Sequence, residues 1–260
     1  MGPHMRGALS FFAPSAFASS LTGALSLALL GAALSGCASD APAPRGEVKG
    51  APNSVAEWGQ SDANRIANLA MQENLEGLYR LMDKLYRRNP VEWRKSGTAS
   101  REQAIAQVRT AIDQRQPWAA LQGRRDIAAM GLALAPEFTG DRVAAFIYAT
   151  VDMIITAHGG KTAFFLIDGV AAQHVYSAAR NVEPAGWLLA HRRNAQGQLL
   201  LLADEIGVQG RNLSFEREFA KIIARLDLLA AFTTEKYRRA AIGYVQGIVG
   251  GTFFQFLPVR

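Results

Sequence analysis

Between residues 143 and 157 the sequence reads VAAFIYATVDMIITA, apolar at nearly every position. Wound as an α-helix, this stretch is apolar on all sides, and such a helix belongs at the centre of a fold, covered by other elements. The remainder of the chain must supply that cover, and its periodicity is largely helical. Ile66, Leu69, Leu75, Leu78, Met82 and Leu85 recur at helical spacing until Pro90 ends the run. Ser100 to Gln103 read as a capping box that opens a helix with Ile105, Val108 and Ile112 on one face, stopped by Pro117. A short helix is expected over 126–134, before Pro136, and Thr139 is placed to cap the central apolar helix.

Gly159 and Gly160 break that helix, and another is expected over 162–181, with Phe164, Ile167, Ala171, His174 and Val175 inward. The pattern changes at Gly186. Residues 187–192, the turn-like Asn194 to Gly197, and residues 199–206 suggest a hairpin. Ser214 is placed to cap a long helix whose one face carries Phe215, Phe219, Ile222, Leu226, Leu229, Tyr237, Ala241 and Tyr244. Residues 240–259 carry no charge, and Gly243, Gly247 and Gly251 fall four apart, a spacing that lets helices approach closely. The stretch is long enough to span a bilayer, but Gln246, Gln255, Pro258 and the Gly250–Gly251 pair argue against it. The expectation is a core helix followed by a docked apolar tail; an undocked tail would be a partner or membrane contact. The fold class that follows is mainly α, a multi-helix single domain over 61–260 with a possible small β-hairpin.

Composition agrees. Of 260 residues, 49% are apolar and 19% charged, which excludes a disordered chain, and the formal charge of +6 is spread along the sequence. A mildly basic chain of this kind suits anionic envelope surfaces and gives no sign of nucleic-acid binding. Residues 1–5 read as a cloning scar before a natural start at Met5, and Arg6 supplies one positive charge. Residues 21–34 are then uncharged and built of Leu, Ala, Gly, Ser and Thr, the pattern of a secretory signal. Leu34, Ser35, Gly36 and Cys37 follow, and Cys37 is the single cysteine. This leader resembles the lipobox of bacterial lipoproteins. The resemblance implies cleavage after residue 36 and, on Cys37, a diacylglycerol and an amide-linked acyl chain. Acyl anchoring at ~0.8 kcal/mol per buried CH₂ is effectively permanent with three chains. Ala38, where an inner-membrane retention signal would be Asp, implies an outer-membrane address facing the periplasm. Residues 37–60, with Pro42, Pro44, Pro52 and three glycines, read as a lipidated flexible tether reaching on the order of 25 Å.

Candidate chemistry in the body is sparse. Gly160, Lys161 and Thr162 form the tail of a phosphate loop, but position 155 is Ile where the loop needs Gly, so a helix stop and restart is the better reading. Asp152 and Asp168 sit in apolar stretches, where a carboxylate must be paired, hydrogen-bonded or protonated. With His174 they make a candidate polar site between helices, usable by a hydrolase; a buried salt bridge from Asp152 to an arginine such as Arg142 or Arg180, or simple exposure, is the simpler alternative. Lys84, Arg87, Arg88, Arg94 and Lys95 cluster with Tyr86 and Trp93, offset only by Glu92. They are a candidate contact for anionic lipid or glycan, or an ordinary solvated helix end. No metal-ligand spacing and no GxSxG occurs. The expectation is a non-catalytic, lipid-anchored binding or scaffold component of the envelope, without a cofactor. It meets a protein partner or, alternatively, carries an apolar or amphipathic ligand.

Overall fold

Ser61 starts the folded body: its hydroxyl accepts from the Asn64 amide at 3.3 Å and opens helix α1 (Asp62–Arg88). The computed structural model describes residues 60–165, 169–207 and 210–254. Cys37, the leader, the tether, Ile167 and Asp168 lie outside the described residues. After α1 come α2 (Pro90–Arg94), α3 (Arg101–Asp113), a 3-10 turn (Ala119–Leu121), α4 (Asp126–Ala133), α5 (Arg142–Ala157), α6 (Ala172–His191) and α7 (Ser214–Phe254). Two short strands, β1 (Glu205–Gly207) and β2 (Gly210–Asn212), pair antiparallel before α7. The fold is mainly α.

The apolar stretch lies where its composition demands. Every residue from 141 to 151 of α5 and its cap is buried, and α1, α2, α3, α4 and α6 all pack against the helix. Phe146, Ile147, Val151 and Ile154 are fully covered, each stabilising by roughly 1.5–3 kcal/mol relative to exposure. Its cap is Asp141, whose Oδ1 accepts from the Ala144 amide at 2.9 Å, and not Thr139. Ser100 caps α3 as expected, accepting from the Gln103 amide, while the Gln103 side chain reaches back to the Ala99 amide.

Three connections differ from expectation, each for a local reason. Residues 162–165 are not helical: Phe164 is drawn into the core beside His158, and its amide and carbonyl are both taken by the Asn68 carboxamide at 2.7 and 3.1 Å. Helix α6 therefore begins only at Ala172, and His174 is exposed on its first turn while Val175 points inward. Residues 187–191 belong to α6 and not to a strand. The burial of Val175, Ala178, Ala179, Val182, Ala185, Gly186 and Leu189 keeps a helical period straight past Pro184. Gly186 marks a close approach, since a Cβ there would lie 3.4 Å from the Phe219 ring. What remains of the expected hairpin is a single bridge between Arg193 and Leu199, next to the β1–β2 pair further on.

Helix α7 packs on α6 and α1 through Phe215, Phe219, Ile222, Leu226 and Leu229. The Asp204 carboxylate, and not Ser214, caps its start, accepting from the amides of Phe215 and Glu216. Beyond Thr233 the helix is exposed to residue 248, Tyr244, Val245 and Ile248 included, although the Tyr237 hydroxyl still lies beside Gly169, 3.4 Å from where a Cβ would stand there. Residues 240–248 do not take the expected core position, and the apolar tail from residue 255 lies outside the described residues. The glycines and polar residues of 240–248 leave that stretch too weakly apolar, and among the described residues no helix is long and apolar enough to cross a membrane.

Candidate functional site

A cleft of about 580 Å³ opens between the end of α3, the 3-10 turn, the start of α4 and the second half of α5. On α5, Tyr148, Asp152, Ile155 and Thr156 stand at i, i+4, i+7 and i+8, one helix face, and all four line it. Trp118, set between Pro117 and the 3-10 turn, stacks on Tyr148 with ring centroids 5.6 Å apart and planes 28° off parallel. The Tyr148 hydroxyl donates to the Gln116 carbonyl at 2.7 Å, which ties the α3–α4 connection to α5. Burial, reinforced by Asp152, pushes that phenol above its ordinary range.

The charged lining has a definite order. Arg125 donates through Nε and Nη2 to the Asp152 carboxylate at 3.0–3.1 Å, and through Nη2 to the Thr156 hydroxyl at 2.8 Å. This replaces the expected pairing with Arg142 or Arg180. Arg142 instead donates to the carbonyls of Ala133, Ala135 and Pro136, and Arg180 pairs with Asp227 and Glu183. Arg115, Arg124 and Asp113 complete the charged rim. Among the described residues, neither Arg115 nor Arg124 has a carboxylate within ion-pair distance.

The backbone around the cleft is unusual as well. Arg115, Gln122 and Asp126 have φ of 52–53°, and they are the only described non-glycine residues with positive φ. A left-handed conformation costs such a residue roughly 1–2 kcal/mol. Gly123 and Gly160, at φ of 72° and 73°, occupy the same region where it costs a glycine little. Strain of this kind concentrates at functional sites; here Arg115 lines the cavity, and Gln122 and Asp126 are each next in sequence to a residue that does.

Of the residues singled out in the sequence, Asp152 lies in this cleft, while exposed His174 does not line it. The basic cluster is largely engaged within the protein. Lys84 donates to the Ser214 carbonyl and lies over the Phe215 ring, Arg87 pairs with Asp83, Arg88 with Glu205, and Lys95 with Glu92. Arg94 rests on the neighbouring Trp93 ring. Arg87 and Trp93 do share the edge of a shallow second groove with Tyr86 and Arg101. Tyr86 itself is buried, donating to Asp141 Oδ2 at 2.7 Å. Glu92 accepts from the Arg142 amide at 2.8 Å, so this network ties α1, α2 and α5 together. Among the described residues no group of histidine, cysteine or carboxylate side chains could hold a metal ion.

Sequence reasoning missed Trp118, Arg115, Arg124 and Arg125. The available signal was the single-face spacing of Tyr148, Asp152 and Thr156, polar positions in a helix otherwise destined for the core. No protein-family model, curated protein or solved structure matches the chain.

Proposed function

We propose that this chain is an outer-membrane lipoprotein, acylated on Cys37 and facing the periplasm, whose helical body binds a small amphipathic ligand without transforming it. The observation that carries the binding role is the Trp118–Tyr148 cleft. Its volume falls within the range of small-molecule sites, and it combines apolar walls with a few convergent polar groups. A hydrolytic role has less support. Asp152 is engaged by Arg125, and the exposed His174 lies outside the cleft lining, so among the described residues no nucleophile–base pair is assembled there. The membrane address rests on the lipobox resemblance, and the tether would let the body stand off the bilayer.

The test is native mass spectrometry of the full acylated protein extracted from its own envelope. A small amphipath should be retained by the wild type and lost in Trp118→Ala. An empty protein that cross-links to an envelope protein would favour the scaffold role and overturn this one. In the same preparations Cys37→Ser should accumulate as unprocessed precursor; normal acylation of that variant would overturn the address.

A further inference from the structure

The cleft's charges and rings together specify more than an amphipath, on the reading that it is a ligand site. We infer that its ligand is a planar aromatic anion, the ring lying on Trp118 and the acidic group held between Arg115 and Arg124.

The ring requirement follows from Trp118. It is half-exposed at the cleft wall and oriented by its stack on the nearly buried Tyr148. That stack fixes the indole plane in advance, so a flat ligand meets a preorganised surface and orders little on binding. The sign of the ligand follows from the charges. Two aromatic rings near a carboxylate could equally suit a cation, so the ion pairs decide. Asp152 is neutralised by the two-pronged contact with Arg125, and the Thr156 hydroxyl accepts from the same guanidinium, leaving its proton free to donate. The remaining charges are Arg115 and Arg124 against Asp113 alone. Both guanidinium groups keep their forked donors available for a carboxylate, sulfonate or phosphate, the geometry they suit best. Arg115 leaves the end of α3 on a left-handed backbone, and its Nη1 would lie 3.5 Å from a Cβ added at Gly160, so that glycine leaves the guanidinium room at the cleft.

Three probes of one shape separate the possibilities: 2-naphthoate, the neutral 2-naphthamide and the cationic 2-naphthylmethylammonium, titrated against the full acylated protein by ligand-observed NMR. Naphthoate should bind about tenfold more tightly than the amide, with a preference that weakens as salt is added. The double variant Arg115→Gln, Arg124→Gln should lose that preference yet still bind the amide, and Trp118→Ala should lose both; thermal melts exclude unfolding as the cause. Equal affinity for acid and amide, or tighter binding of the cation, would overturn the anionic assignment while leaving the cleft a ligand site. Failure of all three probes to bind would remove the ligand-site reading, and this inference with it.

Discussion

Asp141 sits at the sharpest conflict between local need and surroundings. Its carboxylate caps α5 and accepts from Tyr86, yet burial, helped by the Glu92 charge, pushes its pKa from 3.8 up to about 6. The folded chain thus holds this proton more tightly than the unfolded one, and stability falls as pH rises between about 4 and 6. The favourable effect is complete below the ordinary carboxylate pKa and gone above about 6, on the order of 2–3 kcal/mol in all. Asn caps a helix as well as Asp does, so Asp141→Asn should flatten this slope. Denaturant unfolding at about pH 4 and pH 7 measures it; identical pH profiles for variant and wild type would refute the assignment. His158 acts in the opposite direction. Its Nδ1 meets the Ile154 carbonyl at 2.7 Å, its Nε2 is buried with no partner among the described residues, and burial lowers its pKa below 6.5. Its contribution is present above pH 6.5 and lost as pH falls through the folded value. Its ring proton resonances, identified by their absence in His158→Asn, should therefore hold their neutral positions at pH 6.5; a shift already half complete there would contradict the burial argument.

At the scale of elements, helix α7 divides into two parts with different physics. The first is held by α6 and α1, and Phe219→Ala, which empties space beside Gly186 and Phe146, should cost about 3–5 kcal/mol in denaturant unfolding. The second is exposed from residue 234 to 248, so the double variant Tyr244→Ser, Val245→Ser should move the melting temperature by less than about 2 °C. A larger fall would mean that the extension packs on something. Gly243→Ala and Gly247→Ala meet nothing within 4 Å; each should raise helicity at 222 nm, by up to ~1 kcal/mol of local propensity, without shifting the main transition. The two halves also mark what was legible in the chain. Helices α1, α3 and α5 and the first half of α7 could be read because each carries a cap or a stopping proline and a regular apolar face. The non-helical course of 162–165 could not, because it is imposed by Asn68, distant in sequence. The continuation of α6 past Pro184 depends likewise on Phe219 meeting Gly186. The cleft was half legible: Tyr148 and Asp152 share a helix face, but Trp118 and Arg125 reach them only through folding of the α3–α4 connection.

Across the whole molecule, side-chain amides tie the long connections to α1 where a larger sheet would otherwise do so. Asn68 holds Phe164 through both its amide and its carbonyl, and Asn64 donates to Phe165 beside it. Asn89 does the same at the other end, donating to Leu85 and Leu202 and accepting from the Leu202 amide at 2.8 Å. Replacing the carboxamide by a carboxylate turns a donor into an acceptor facing a carbonyl. Asn68→Asp and Asn89→Asp should each destabilise by about 1–3 kcal/mol, measured by denaturant unfolding; neutral effects would show the ties to be incidental. The same swap is what slow chemical ageing does to asparagine, when the next residue's backbone nitrogen attacks the side chain, ammonia departs, and water opens the resulting imide. Asn89 is followed by Pro90, whose nitrogen bears no hydrogen. One of the two clasps is therefore shielded from that decay by its neighbour, and Asn68 by its place inside α1, whose helical backbone holds the Leu69 nitrogen away from the side chain.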